Sequence, residues 1–263
     1  MILKGVSHIH STYSFDGQLP LPTLVRYFEE KGFDFVLMSE HVESLNVDSL
    51  RSFIADCRRL TTSRLLIVPG VEIEHLNLLV FGIKSVHVYS DMIDLIEQFR
   101  SQGTLLILSH PAKLHSGALE VVSDIIEGVE VWNNKYDGKL APRAKSLKLF
   151  ERLRDSNPGL VPVCGQDFHG KSDYANVWME VPTIDRSEEA IIAAIRSGNV
   201  RLTAGGQRIP IYNDSSFAAR TLYFLKIMLS TVAVDSLFSA NLCLRKLGIR
   251  APRCVRTALR KFF

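Results

Sequence analysis

Short apolar runs alternate with longer amphipathic segments along most of the chain. The apolar runs predict strands over 1–7, 33–39, 65–69, 78–81, 104–109, 128–132, 160–164, 177–181 and 200–203. The amphipathic segments predict helices over 23–31, 48–60, 91–102, 142–154 and 187–197. Strands that are apolar at nearly every position are buried on both faces, as in parallel sheets covered by helices. About seven strand–helix units therefore predict one α/β barrel, with residues 72–82 forming a hairpin.

The composition shifts near residue 214. The chain has 263 residues and a formal net charge of +3. From Ser215 to Phe263 there are nine Lys and Arg residues and one acid, Asp235, a net charge of +8, which leaves −5 for the first 214 residues. We therefore predict two units, a barrel over 1–214 and a basic, apolar-rich helical tail over 215–263.

The tail is open to three interpretations. Dense apolar residues predict a helix over 217–240, but charges limit its longest uncharged span to 227–234, far short of the roughly 20 residues that cross a bilayer. This helix could pack across the underside of the barrel or against a partner subunit. The basic segment 250–263 could instead lie on an anionic membrane surface or hold the backbone of RNA.

Cysteine usage and the first residues bear on cellular location. The four cysteines, Cys57, Cys164, Cys243 and Cys254, have no CxxC spacing, which argues against a cysteine-based zinc site. They are too sparse for a disulfide scaffold, as expected in a reducing cytoplasm. Met1 precedes a short strand-like run and not the long apolar segment of a signal peptide. We expect a cytoplasmic protein whose tail could contact a membrane peripherally.

Polar side chains of the metal-ligand type follow the apolar runs. They are His8, His10, Glu40, His41, Glu72, His110, Asp167 and His169. The carboxyl ends of barrel strands converge on one face, so we expect these side chains to lie close together. Imidazole and carboxylate without thiolate suit zinc, manganese or iron. Because one ion takes about four to six ligands, this many candidates predict two or three divalent ions.

Each of these residues also has an ordinary structural role. A single histidine at a strand end is more often a hydrogen-bonded loop residue than a ligand. Glu72 could cap a neighbouring helix, and Asp167 could cap the turn after Cys164. These structural roles would have to hold independently at every position, whereas a single metal site explains all of the polar residues together.

Five ordered motifs connect these residues. They are His8-x-His10-Ser11-x-x-Ser14-x-Asp16-Gly17, Ser39-Glu40-His41, Pro69-Gly70-Val71-Glu72, His110-Pro111 and Asp167-x-His169. As a set they resemble the motifs of the PHP family, the polymerase and histidinol phosphatase domains, and Glu130-Val131-Trp132-Asn133 resembles a further family segment. The resemblance spans residues 7 to about 205. It implies a distorted (β/α)7 TIM-like barrel with a trinuclear metal site for phosphoester hydrolysis, followed here by the helical extension.

The resemblance also implies three ligand sets. Carried over by position, they are His8, His10, Glu72 and Asp167 for the first ion, Glu72, His110 and His75 for the second, and Asp16, His41 and His169 for the third. Glu40 would orient a ligand histidine without binding an ion. The expected catalytic residues are therefore Glu40, Glu72, Asp167 and His169.

His75 is the irregular member of these sets. In a straight strand Glu72 and His75 would face opposite ways, so both reach the ions only if the hairpin turns sharply between them. His75-Leu76-Asn77 resembles the His-x-Asn form of some family members, which favours His75 as a ligand. The alternative is a second ion that lacks this ligand.

The chemistry that the resemblance implies is attack on phosphorus by a metal-activated water. It needs no protein nucleophile, in keeping with the lack of a GxSxG motif. Lys113, Lys135 and Arg143 are candidates to bind the substrate phosphate, and otherwise they are solvated surface charges. The sequence has neither a Walker loop nor GxGxxG, so we expect no nucleotide cofactor.

The first motif bears on the substrate. Ser14-x-Asp16-Gly17 resembles the nucleoside phosphatase and 5′-3′ exonuclease branch of the family more than the histidinol phosphate phosphatases. The predicted function is therefore a metal-dependent phosphatase or phosphodiesterase acting on nucleotides or short oligonucleotides. One alternative is a histidinol-phosphatase-like enzyme for small molecules. Another is a non-catalytic PHP-like module that binds metal and partners. The sequence leaves the oligomeric state open.

Overall fold

Two six-stranded sheets and their flanking helices make up the computed structural model, which describes residues 1–138, 141–204, 207–209 and 217–246. The strands are β1 (Ile2–Ile9), β2 (Phe35–Met38), β3 (Glu40–His41), β4 (Leu66–Val68), β5 (Gly70–Ile73), β6 (Leu78–Phe81), β7 (Leu105–Leu108), β8 (Gly128–Asn133), β9 (Val161–Gly165), β10 (Val177–Pro182), β11 (Arg201–Ala204) and β12 (Gln207–Arg208). The helices are α1 (Leu21–Glu30), α2 (Val47–Leu60), α3 (Met92–Arg100), α4 (Ala118–Val122), α5 (Asn134–Asp137), α6 (Ala144–Ser156), α7 (Glu188–Arg196) and α8 (Phe217–Lys246).

The strands and helices form where the apolar pattern predicts them. Strands β2, β6 and β7 are buried at every position, as expected for strands covered on both faces. Helix α1 buries Leu21, Leu24, Val25 and Phe28, which recur at helical spacing along one side. Helix α2 begins at a capping box in which Asn46 and Ser49 satisfy each other's backbone N–H groups. The mixed α/β class predicted from the sequence is therefore confirmed.

Two continuous stretches of chain connect the two sheets directly. Their strand orders are β12-β11-β10-β1-β2-β4 and β3-β5-β6-β7-β8-β9. Only Ser39 separates β2 from β3, and only Pro69 separates β4 from β5, so both stretches pass from one sheet to the other. Beyond β9, Phe168 forms a parallel bridge with Ile9 of β1, and the His10 N–H donates to the Phe168 carbonyl at 2.9 Å. The polar ends of β1, β3 and β5 are thereby brought next to the segment after β9.

The predicted distorted (β/α)7 TIM-like barrel is not confirmed. Within the described residues the strands pair as two separate sheets, and the pairing is not uniformly parallel. Strand β6 is antiparallel to both β5 and β7, and β10 is antiparallel to β1. The hairpin predicted over 72–82 is confirmed as β5 and β6, and it reverses the chain where a parallel unit would require a long crossover.

Helix α8 rests on α6 along one side. The Ala144 N–H donates to Thr231 Oγ1 at 3.1 Å, Arg143 pairs with Asp235, and Ile227 is buried. The predicted boundary near residue 214 and the basic segment 250–263 lie outside the described residues, so the division into two units stays a prediction. Among the described residues, no helix combines the length and apolar character needed to span a membrane.

Candidate metal centre

The structure brings most of the predicted ligand residues together in one buried cluster. Its members are His8, His10, Asp16, His41, Glu72, His110, Asp167 and His169. Three of them, His8, His110 and Asp167, have positive φ angles of 62°, 25° and 48°. Among the described non-glycine residues only Asn77 shares this feature, with φ of 50°, and it hydrogen-bonds His110. Positive φ is uncommon in non-glycine residues, and backbone conformations of this kind concentrate at functional sites.

Glu72 occupies the centre of the cluster. Its Oε2 lies 3.1 Å from His8 Nε2, 3.5 Å from His10 Nε2 and 3.6 Å from His41 Nδ1. Its Oε1 lies 2.8 Å from His110 Nε2. Burial alone would raise the pKa of this carboxyl, but His8 and His110 hold it well below its usual range. Glu72 is therefore an anionic carboxylate positioned among four imidazoles.

Four residues converge, and each has a buried polar atom without a hydrogen bond. Suitable atoms of His10, Asp16, His41 and His169 all lie within 4.8 Å of one another. Each of these residues also has a buried polar atom without a hydrogen-bond partner, namely His10 Nε2, Asp16 Oδ1, His41 Nδ1 and His169 Nε2. Buried polar atoms in proteins are almost always paired, so each exception requires an explanation. His169 Nε2 lies 2.8 Å from Asp16 Oδ2, and His10 Nε2 and His41 Nδ1 lie 3.5 and 3.6 Å from Glu72 Oε2. Imidazole nitrogens and carboxylate oxygens packed this closely without hydrogen bonds fit a bound cation.

Two further groups have the spacing of metal ligands. They are His8, His10 and Glu72, and His8, His110 and Asp167. Asp167 remains anionic, because His8 and Lys135 lower the pKa of its carboxyl although burial opposes the shift. The donor set throughout is imidazole nitrogen and carboxylate oxygen, which suits zinc, manganese or iron.

Hydrogen bonds fix the tautomer of three cluster histidines. His8 Nδ1 lies 2.9 Å from Glu130 Oε1, His169 Nδ1 lies 2.9 Å from the Asp167 carbonyl oxygen, and His10 Nδ1 lies 3.4 Å from Ser14 Oγ. Because these oxygens accept, Nδ1 carries the proton in each ring, and when the ring is neutral its Nε2 has the lone pair. That is the tautomer required for binding a metal through Nε2.

His110 has the opposite tautomer. Asn77 Nδ2 donates to the Lys113 carbonyl at 2.9 Å, and Asn77 Oδ1 accepts from the His115 N–H at 2.7 Å, so two backbone groups fix the amide's orientation. Asn77 Nδ2 therefore also donates to His110 Nδ1, at 2.9 Å. The neutral ring then carries its proton on Nε2, which donates to Glu72. In this arrangement His110 offers Glu72 a hydrogen-bond donor, whereas the second-ion assignment requires a lone pair.

His75 is not brought into the cluster. It lies in the 3₁₀ turn Glu74–Leu76, its side chain is 56% exposed, and its Nδ1 pairs with Glu43 Oε1 at 3.2 Å. Strand β5 ends at Ile73, and the turn directs His75 outward while Asn77 points inward to His110. The sharp turn on which the His75 assignment depended therefore brings Asn77, and not His75, to the site.

Glu40 has the position expected of an orienting residue. It is buried, accepts from the Ser11 N–H at 2.9 Å, and accepts from Ser14 Oγ at 2.6 Å. Ser14 Oγ in turn contacts His10 Nδ1 and accepts from the His41 N–H at 2.9 Å. Burial raises the pKa of Glu40, and the bonds from Ser11 and Ser14 oppose that shift. Glu40 thus acts on the histidines through Ser14.

Glu130 is a site residue that the sequence reasoning did not assign a role. It is fully buried and accepts from His8 Nδ1 at 2.9 Å, from the His110 N–H at 2.7 Å and from Asn133 Nδ2 at 2.9 Å. A Cβ on Gly165 would lie 1.6 Å from Glu130 Oε1, so glycine is needed there. The available signal was an acidic residue inside the apolar run of β8.

The three candidate phosphate ligands have different surroundings. Lys135 Nζ lies 3.3 Å from Asp167 Oδ1 at the edge of the cluster, and its side chain is 42% exposed. Lys113 Nζ donates to the Tyr136 hydroxyl at 3.1 Å and pairs with Glu74. Arg143 is buried and pairs with Asp235 of α8. Of the three, Lys135 is the one that the structure shows in contact with a cluster carboxylate.

An exposed aromatic ring adjoins the cluster. Phe15 stacks on His41 with a centroid separation of 5.0 Å and an interplanar angle of 23°. The residue is nonetheless 71% exposed, so the ring face turned away from His41 is open. The cluster thus has a flat apolar surface beside it, next to the four residues that converge with unpaired atoms.

Solved structures identify the fold as PHP-type. A two-domain protein from Bacteroides vulgatus that contains a predicted PHP-like metal-dependent phosphoesterase is 19% identical, with a TM-score of 0.60 over 86% of this chain and 70% of that one. PsfC from Pseudomonas syringae is 15% identical, with a TM-score of 0.52 over 90% and 99% of the two chains. The resemblance to the PHP family stated from the motifs is confirmed at the level of the fold.

A third structure with this fold is a nuclease. The lesion-specific endonuclease PfuEndoQ from Pyrococcus furiosus is 13% identical, with a TM-score of 0.50 over 77% of this chain and 58% of that one. No family model matches the sequence, and no curated protein matches it.

Proposed function

We propose that the chain is a metal-dependent phosphoesterase that hydrolyses phosphate esters of nucleotides or short oligonucleotides. The observation that carries the proposal is the convergence of ligand atoms of His10, Asp16, His41 and His169 within 4.8 Å of one another. Each of these residues also keeps a buried polar atom without a hydrogen bond. Such a group is costly to bury unless a cation compensates it. The fold shared with a protein containing a predicted PHP-like metal-dependent phosphoesterase supports the same reading.

We assign two ion positions within the cluster. One belongs to His10, Asp16, His41 and His169, and the other to His8, Glu72 and Asp167. Divalent ions held there would activate a water molecule and neutralise charge on the phosphate. We leave His110 out of both sets because its Nε2 donates to Glu72.

The protein's own side chains orient this chemistry. Glu130 holds His8, the Asp167 carbonyl holds His169, and Ser14 with Glu40 holds His10. The Lys135 ammonium stays charged, because Asp167 and Tyr136 raise its pKa against the effect of burial. Lys135 Nζ lies at the cluster edge and its side chain is partly exposed, which supports our assignment of Lys135 to bind a non-bridging phosphate oxygen of the substrate.

Metal analysis tests the two-ion assignment without an activity assay. We expect about two ions per chain in the parent protein. His110→Ala should retain about two ions, since it removes a donor to Glu72 and no ligand, whereas His41→Ala should lose one of them. Three bound ions in the parent, or loss of an ion in His110→Ala, would show that His110 is a ligand.

The open face of Phe15 favours a substrate that carries a nucleobase. A base bound beside the cluster could stack on this ring, and base–aromatic stacking contributes about 1–3 kcal/mol. PfuEndoQ, which has the same fold, is by its name a lesion-specific endonuclease, so a nucleic-acid substrate is compatible with this scaffold. A histidinol phosphate substrate would present the smaller imidazole ring.

Phe15→Ala tests this preference. We expect KM for nucleoside monophosphates to rise about tenfold, because the stacking surface is lost. For ribose 5-phosphate, which has no base, kcat/KM should change by less than about twofold. Phe15→Tyr keeps the stacking surface and should behave as the parent. Equal losses on both substrates would show instead that Phe15 supports His41 and does not select the base.

A substrate panel with metal-loaded protein tests the proposed function as a whole. The panel comprises nucleoside mono- and bisphosphates, short RNA, short single-stranded DNA and histidinol phosphate. We expect the largest kcat/KM on a nucleotide or an oligonucleotide. Preference for histidinol phosphate would favour the small-molecule phosphatase, and bound metal without turnover on any ester would favour the non-catalytic module.

A further inference from the structure

Helix α8 carries an exposed apolar stripe beside its contact with α6. Its members are Phe224, Leu225, Met228, Leu229 and Val232, which are between 43% and 72% exposed. They recur at positions i, i+1, i+4, i+5 and i+8, so they share one face of the helix. Among the other exposed large apolar residues that the structure describes, Met1 and Ile2 are adjacent at the start of the chain, and the rest, such as Ile93 and Ile184, stand apart from one another in the sequence. A contiguous exposed apolar patch of this kind marks an interaction surface.

The charge of the tail identifies the kind of surface that would cover the stripe. Lys226 is exposed on the same stretch of α8, and residues 215–263 carry a net charge of +8. We propose that the stripe of α8 lies in the interfacial region of an anionic lipid surface, with the basic residues of the tail against the lipid headgroups. A helix with an apolar face and neighbouring Lys and Arg residues binds such surfaces by both attractions at once.

Two other occupants fit these observations less well. An RNA backbone would attract the basic residues, but it would leave Leu225, Met228, Leu229 and Val232 in water, since phosphate binding makes no use of aliphatic side chains. A second copy of the chain would cover the stripe, but it would bring two tails of charge +8 together. A lipid surface satisfies the apolar and the basic features together.

The stripe leaves the metal-binding cluster free. Its helix is anchored to α6 through Thr231 and Asp235, on residues that include no cluster member. Seating on a lipid surface would therefore hold the domain at the membrane without occupying its site. The inference does not depend on which phosphate ester is hydrolysed.

Vesicle flotation of the full chain tests the inference. One set of vesicles is phosphatidylcholine alone, and in the other about a third of the lipid is phosphatidylserine. We expect binding to the anionic vesicles only, and weaker binding as salt rises above about 0.1 M. The double variant Phe224→Gln/Leu229→Gln should bind about tenfold more weakly, because glutamine preserves the helix but removes the apolar contact. Ile93→Gln, at an exposed isoleucine of α3, should bind as the parent does.

Several results would overturn the inference. One is the absence of binding to anionic vesicles, and another is equal binding by the parent and the double variant. A parent dimer in light scattering that the double variant converts to monomer would make the stripe a subunit interface. Salt-sensitive RNA binding that the double variant loses, without vesicle binding by the parent, would assign the surface to nucleic acid. Hydrolysis measured alongside reports separately on the proposed function.

Discussion

Replacing His10 with alanine should reduce the rate of phosphoester hydrolysis about a thousandfold or more. A loss of this size corresponds to the several kcal/mol by which a bound metal ion stabilises charge in the transition state. His10 belongs to two of the three ligand groups, with Glu72 and His8 in one and with Asp16, His41 and His169 in the other. Its ring also stacks between His41 and His169, with centroid separations of 4.6 and 4.3 Å. The substitution therefore removes a ligand atom and disorders the neighbouring rings.

The His10→Ala effect is measured as kcat/KM on bis-p-nitrophenyl phosphate together with metal content. Both should fall, and added manganese or zinc should not restore turnover. His87→Ala is the matched control, because His87 is exposed and lies outside the cluster. Near-full activity of His10→Ala in metal-depleted buffer would contradict the assignment of the site.

Glu130→Gln should weaken metal binding about 10–100-fold, the usual consequence of losing a residue that orients a ligand histidine. Glu130 accepts from three donors, on His8, His110 and Asn133. A glutamine of the same size would turn an NH₂ group toward one of these donors. Because the site is fully buried, the unfolding free energy should also fall by about 1–3 kcal/mol.

Chemical denaturation and metal titration measure the two effects of Glu130→Gln separately. Glu127→Gln is the control, because Glu127 precedes the same strand but pairs at a partly exposed position with Arg196. Gly165→Ala should reproduce the Glu130→Gln phenotype, since the added methyl group would collide with Glu130 Oε1. Unchanged metal affinity in both Glu130→Gln and Gly165→Ala would mean that the carboxylate does not hold His8 for metal.

Local structure was predictable because burial leaves a direct trace in the sequence. The all-apolar runs at 35–38, 78–81 and 105–108 are strands in the structure. The pairing of the strands was not predictable, because an apolar run does not reveal which strand it pairs with or in which direction. The sequence predicts the hairpin of β5 and β6, but it does not show that β6 also pairs antiparallel with β7 and so interrupts a parallel barrel.

At the site, too, residue types could be predicted from the sequence, whereas the detailed geometry could not. Strand-end polarity predicted that His8, Glu72 and Asp167 would lie close together, and His8 Nε2 lies 3.1 Å from Glu72 Oε2 and 4.0 Å from Asp167 Oδ1. The difference between His75 and Asn77 depends on the turn Glu74–Leu76 and on the left-handed conformation of Asn77, which residue spacing does not specify. Likewise the tautomer of His110 depends on the backbone groups of Lys113 and His115, which contact Asn77 only in the folded chain.

The central claim is that the cluster of imidazoles and carboxylates binds divalent metal and thereby hydrolyses phosphate esters. The most direct test follows hydrolysis of p-nitrophenyl phosphate and its bis ester while metal is stripped with a chelator and then restored, with bound ions counted at each stage. We predict no turnover in the stripped protein and recovery with manganese or zinc as about two ions rebind. Turnover that persists without metal, or fully loaded protein that hydrolyses neither ester, would contradict the claim.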